Sequence, residues 1–163
     1  MVSLLVHAVL GLSVIGWIVA SNQKVFARPA TGPLFSRLEW VYYVVGVASV
    51  VLGWYFNVRF VQQYAHGSTN PIWGPGSWAD YLRLMFTNPA ASSASQDYTI
   101  ANVILLPLFT IVDGYRRGLR RPWLFFVSSL FTSFAFAFAF YFATIERQRR
   151  HAQSSTAPTP VGA

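Results

Sequence analysis

Four long apolar stretches alternate with shorter polar ones along the chain, and their lengths carry more information than their periodicity. The first, 2–20, is interrupted only by Ser3, His7, Ser13 and two glycines, and about 20 residues at 1.5 Å each cross a hydrocarbon core. No Lys or Arg precedes Lys24. A cleaved leader would begin with one, so this stretch is expected to stay as a first transmembrane helix. The second, 39–58, has Trp40, Tyr42 and Tyr43 at one end and Trp54 and Tyr55 at the other, the aromatic belts that two membrane interfaces favour. Gly46, Ser49 and Gly53 recur along it at helical spacing, and such a small-residue stripe lets a neighbouring helix approach closely.

The unbroken part of the third stretch starts at Tyr98 and spans only about 22 Å as a helix. Asn88 followed by Pro89 supplies an earlier start, because Asn accepts from free backbone amides and Pro is preorganised for a first turn. A helix over 89–113 is therefore predicted, kinked at Pro107 and stopped by Gly114. Pro122 opens a fourth, 122–146. Its Phe/Ala alternation lacks the polar side of a membrane barrel strand. As a helix it makes a ridge of Phe134, Phe138 and Phe142 beside a groove of Ala135, Ala139 and Ala143, with Ser129, Ser133 and Ala137 as a second small stripe. Between the second and third helices, 77–86 reads as a short amphipathic helix lying in the interface, opened by Ser77 and Asp80, with Trp78, Tyr81, Leu82 and Met85 on one face. The segment 151–163 is Ser-, Thr- and Pro-rich from Gln153 onward and is expected to be disordered. The predicted fold is an all-α membrane protein: one domain over 1–150, four transmembrane helices and one interfacial helix.

Composition agrees. Side chains are 54% hydrophobic and 10% charged, where roughly 25% charged is usual, so too few polar groups exist to cover a water-exposed globule. A soluble enzyme is excluded. Without cysteine, thiolate metal sites, disulfides and a Cys nucleophile are excluded as well. The net charge of +7 comes almost wholly from Arg. Arg116, Arg117, Arg120 and Arg121 lie between apolar blocks and Arg147, Arg149 and Arg150 follow the last, which suits lipid headgroups and not nucleic acid. Alternate threading puts seven basic residues on one side and five on the other. The seven are expected to be cytoplasmic, leaving both termini outside a bacterial inner membrane.

The same threading gathers His7, Trp54, Asn57, Asp97, Asn102, Tyr141 and Glu146 near one interface, under the amphipathic segment. Asn57, Asp97, Asn102, Tyr141 and Trp54 are the candidate binding residues, and Asp97 is the candidate acid. The plainer alternative is that they make structural hydrogen bonds between helices. Asp97 and Asp113 stand about 24 Å apart along one helix, too far to act as an acid–base pair. Asp113 has Arg116 and Arg117 at the spacing of a helix-surface ion pair. His7 has no second intramembrane His, so neither metal nor haem is expected, and no cofactor motif occurs. The leading expectation is a non-enzymatic membrane protein binding lipid, a membrane partner or a second copy through its small-residue grooves. The alternative is a membrane-embedded isomerase or cyclase of an isoprenoid- or sterol-like substrate, with Asp97 donating a proton.

Over about 40–147 the chain resembles the bacterial membrane family of domain of unknown function 2834. The resemblance rests on Gly53, Trp54, Tyr55, Phe56 and Asn57 at the end of the second helix, and on Asn88, Pro89 and Asp97. It continues with Asp113, Gly114, Arg116 and Gly118, then Trp123, and Ser133, Phe134 and Ala135. Asp113 stands where the family usually has Glu, and Ala137 where it has Pro. The resemblance implies a small multi-helix membrane protein and no particular activity.

Overall fold

The computed structural model describes residues 2–29, 32–68, 70 and 72–156. Most of these are helical, and no strand occurs among them. In chain order they form α1 (Val2–Ser21), a single turn α2 (Gln23–Phe26), α3 (Arg37–Tyr64), α4 (Trp78–Leu84), α5 (Pro89–Ile100), a π-helical segment (Ala101–Leu105), α6 (Leu106–Arg116), α7 (Trp123–Phe131) and α8 (Phe134–Thr156). Three continuous stretches are long and apolar enough to cross a membrane: Leu4–Ser21, Arg37–Tyr64 and Pro89–Arg116.

Local chemistry sets the helix starts. Ser36 accepts from the Glu39 N–H while the Glu39 carboxylate accepts from the Ser36 N–H, so two otherwise free donors are satisfied reciprocally where α3 begins. Asn88 caps α5 through Ala91 N–H with Pro89 in the first turn, as its sequence predicts. Pro107 cannot donate to the helical ladder. The irregularity is taken up just before it, where the Leu106 N–H reaches five residues back to the Ala101 carbonyl and widens one turn. Gly114 does not stop the third helix, which runs on to Arg116. It is glycine because a Cβ there would lie 2.4 Å from Pro122 Cβ.

The predicted fourth spanning helix, 122–146, is instead a hairpin of two helices. After α7 the backbone turns at Thr132 (φ −116°, ψ −93°) and α8 runs back the way α7 came. Side-chain contacts fix this path. Trp123 packs edge-on against Trp17 near the end of α1, with ring centroids 5.8 Å apart, while Phe131 meets His7 near its start at 6.0 Å. On the return, Ser133 Oγ lies 2.8 Å from Ser49 Oγ, Phe142 stacks on Tyr42 at 5.8 Å, and Arg147 reaches Glu39. Phe125 of α7 packs on Tyr141 of α8 at 5.0 Å. The tip therefore meets α3 about 18 Å from its start, near mid-length.

Two corrections follow from the hairpin. Its ends, Trp123 and Arg147, lie at the same end of the bundle, together with the end of α1 and the start of α3. The start of α1 and the end of α8 are thus at opposite ends of the bundle, whereas alternate threading of four spans puts the two termini together. The chain is also helical through Thr156, into the segment expected to be disordered, and 157–163 lie outside the described residues. The short helix expected over 77–86 is present as α4, with Ser77 accepting from the Asp80 N–H.

Candidate functional site

Because the hairpin enters from one end and stops midway, the other half of the bundle has no central helix. A cavity of about 290 Å³ occupies that space. Its floor is the hairpin tip, Ser129 to Ser133. Its walls come from His7 of α1, Gly53, Trp54 and Asn57 of α3, and Tyr98 of α5. Trp78 and Tyr81 of α4 cover it. Irregular backbone at such depth persists where it lines a cavity or is buried in protein, and the tip does the first. Ser133 Oγ accepts from the Phe136 N–H and the Thr132 hydroxyl donates to the Ser128 carbonyl, so the turn satisfies part of its own backbone.

The lid is held where the chain enters it. Gly76 has φ +68°, and a Cβ there would lie 2.5 Å from Ala65 Cα, so only glycine lets the loop dock this closely on the chain leaving α3. The Gly76 N–H donates to Asp80 Oδ2 at 3.1 Å, and Arg83 Nη2 pairs with Asp80 Oδ1 at 2.8 Å. The Arg83 guanidinium first, and the Gly76 amide second, hold the Asp80 carboxyl below its ordinary value of 3.8.

The residues that threading gathered do not all converge. Trp54, Asn57 and His7 line the cavity. Asn102 is buried behind its wall, accepting from Ser129 Oγ at 2.8 Å and donating to the Tyr98 hydroxyl at 3.3 Å. Asp97 is exposed on α5 and does not line the cavity. Tyr141 is at the opposite end, because α8 runs back: its hydroxyl donates to Asp113 Oδ2 at 2.8 Å, and Arg117 Nε pairs with the same oxygen at 2.7 Å. Glu146 sits there too, beside Arg149. The expected ion pair of Asp113 thus forms with Arg117, and Tyr141 completes it.

A second, apolar groove of about 700 Å³ runs along the outside of the third helix and α8. Leu105, Leu108, Phe109, Val112, Phe134 and Phe138 line it, and its only charged lining residues are Asp113 and Arg116, both at the basic end of the bundle, where Arg117, Arg120, Arg121 and Arg147 also lie. Among the described residues Arg116 makes no side-chain hydrogen bond or ion pair, in contrast to Arg117.

Sequence reasoning missed the cluster that ties the basic end together. Glu39 is fully buried and pairs with both Arg147 and Arg150. Arg147 also donates to the carbonyls of Val25, Phe26, Ala27 and Leu34 at 2.9–3.4 Å. Read as a headgroup anchor, Arg147 is instead buried. The Ser36–Glu39 spacing ahead of an apolar run was the available signal. At the same end Asn22 binds the Arg120 amide and carbonyl, joining α1 to the loop before α7.

Among the described residues no group of three or more His, Asp or Glu could hold a metal ion. No curated protein and no solved structure matches the chain. A family model described as protein of unknown function DUF2834 matches residues 41–147, from the second turn of α3 through the lid and the whole hairpin to Arg147, and the chain belongs to that family.

Proposed function

We propose that this is an integral membrane protein that holds an anionic phospholipid in the groove between the third helix and α8. The groove itself carries the reading: leucine and phenylalanine along its length suit acyl chains, and a guanidinium stands at one end. Asp113 is already committed to Arg117 and Tyr141, so Arg116 has no carboxylate of its own and can meet a phosphate through its planar donor fork. The position of the charges supports the same end. Lys24, Arg28 and Arg37, the four Arg of 116–121, and Arg147, Arg149 and Arg150 all belong to the basic end, ten of the twelve basic residues. Only Arg59 and Arg83 belong to the other. With the hairpin topology the basic bias is thus ten to two, which supports a cytoplasmic position for the basic end, where anionic headgroups are found.

Catalysis through Asp97 has no such support, because its carboxyl lines neither the cavity nor the groove. Native mass spectrometry of protein released from mixed phosphatidylglycerol and phosphatidylcholine bilayers tests the lipid reading. Phosphatidylglycerol should be retained preferentially. Arg116→Gln should weaken that retention about tenfold, since a charged hydrogen bond contributes roughly 1.5–3 kcal/mol. Retention by Arg116→Gln equal to that of the parent overturns the reading.

A further inference from the structure

The cavity above the hairpin tip is separate from the lipid groove, and three observations give it a chemistry of its own. First, six large aromatic side chains, Trp54, Phe60, Trp78, Tyr81, Tyr98 and Phe131, contribute to its lining beside uncharged polar groups such as Asn57 and Ser129 and the imidazole of His7, and no Lys, Arg, Asp or Glu does. Aromatic faces carry negative charge density that attracts a cation, most strongly where water is excluded. Second, the last turn of α7 lines the floor, placing the negative end of a helix dipole there. The opposing start of α8 contributes only Ser133, whose hydroxyl already accepts from the Phe136 N–H. Third, the cavity lies in the half of the bundle where Arg59 and Arg83 are balanced by Asp80 and Asp97, so the formal net charge of +7 resides wholly in the other half. A cation there meets no net positive field from its own end.

We propose that the cavity binds a small alkylammonium cation of the trimethylammonium class, seated between the Trp54 and Trp78 side chains above the hairpin tip. At about 290 Å³ it is at the small end of ligand pockets, roughly 300–1,000 Å³, which suits a headgroup-sized ion and not a polycyclic ligand. Two sources offer this group: a free quaternary amine and the headgroup of a choline lipid.

The test uses the full chain in phosphatidylglycerol nanodiscs, which contain no choline, with radiolabelled choline measured by equilibrium dialysis. Saturable binding is expected, displaced by tetramethylammonium. The uncharged isostere 3,3-dimethylbutanol should compete at least tenfold less well. Gly53→Leu should abolish binding by filling the cavity, and it should fold normally because a Cβ at Gly53 meets nothing within 4 Å. Trp78→Leu, on the exposed lid, should weaken binding at least tenfold. Arg116→Gln in the groove should leave choline binding intact, which separates this proposal from the lipid reading. Repeating the measurement in phosphatidylcholine nanodiscs distinguishes the sources: lost choline binding assigns the site to the lipid headgroup, and retained binding assigns it to the free amine. No saturable binding in phosphatidylglycerol, or equal competition by the uncharged isostere, overturns the proposal.

Discussion

Arg147 and Glu39 lie 108 residues apart in sequence and form a buried ion pair, Nη1 to Oε1 3.3 Å, with side chains 3% and 0% exposed. The contact joins the return helix of the hairpin to the first turn of α3. Through its carbonyl bonds, Arg147 also gathers the chain between α1 and α3. A charged pair removed from water holds only when its remaining donors and acceptors are satisfied, and here the carbonyls do that.

Removing one partner from such a pair is therefore expected to be severe. Arg147→Ala should destabilise by about 3–5 kcal/mol, because it leaves several carbonyls without their donor and the buried Glu39 with Arg150 as its one remaining cation. Arg147→Lys should rescue little, since one ammonium cannot reach carbonyls on several sides as a guanidinium does. Thermal unfolding in detergent measures both. A lysine variant as stable as the parent would show that charge alone matters and that the carbonyl contacts do not.

Orientation follows from the same contact. Under the orientation proposed above, the C-terminal end of α8 should be cytoplasmic and the lid should face outside. The chain has no cysteine, so single cysteines can report this directly. A membrane-impermeant maleimide should label Ser68→Cys in intact cells and Ala152→Cys only after lysis. Labelling of both in intact cells would restore the four-span topology and remove the hairpin.

Much of the helix plan was legible because it rests on local rules. Asn88–Pro89, Ser77–Asp80 and the apolar lengths of α1 and α3 each act within a few residues. The hairpin was not legible, because 122–146 is long and apolar enough to span and its break lies at Thr132 and Ser133, residues that also occur inside helices. What bends the chain there is tertiary: the Ser49 and Ser133 hydroxyls pair, and Gly11 and Gly46 admit Thr132 and Phe136. The site inherited that error. His7, Trp54 and Asn57 depend only on α1 and α3 and were grouped with the lid correctly, whereas Tyr141 and Glu146 depended on the direction of α8 and went to the wrong end.

The two glycines of the α3 stripe should now behave differently. A Cβ at Gly46 would lie 3.2 Å from Phe136 Cδ2 and 3.5 Å from Ala139 Cβ, while one at Gly53 meets nothing. Gly46→Leu should therefore force α8 away and destabilise by about 1–3 kcal/mol or more. Gly53→Leu should stay within about 0.5 kcal/mol of the parent, as substitutions free of packing conflict usually do. Similar losses for both in thermal unfolding would mean that α8 packs along the whole stripe, and that the cavity is filled.

The lid has its own pH dependence, and its sign is fixed by Asp80. Arg83 and the Gly76 amide lower the Asp80 pKa on folding. Its contribution is therefore fully present above the ordinary carboxyl value of 3.8 and is lost as pH falls through the lowered folded value. Between pH 8 and 5 the lid should not respond. Below about pH 4 it should loosen. Arg83 is largely exposed, 71%, so its pair contributes little by itself. The bond to the Gly76 amide, beside the close contact with Ala65, is the one that positions the loop. Accordingly Asp80→Ala should loosen the lid at neutral pH and Arg83→Ala should change it much less. An environment-sensitive dye on Leu82→Cys reads both: constant emission from pH 8 to 5, a shift below about 4, and the same shift at pH 7 in the Asp80→Ala background. A transition between pH 5 and 8 would assign control of the lid to another group, and equal responses to Asp80→Ala and Arg83→Ala would assign it to the ion pair and not to the Gly76 bond.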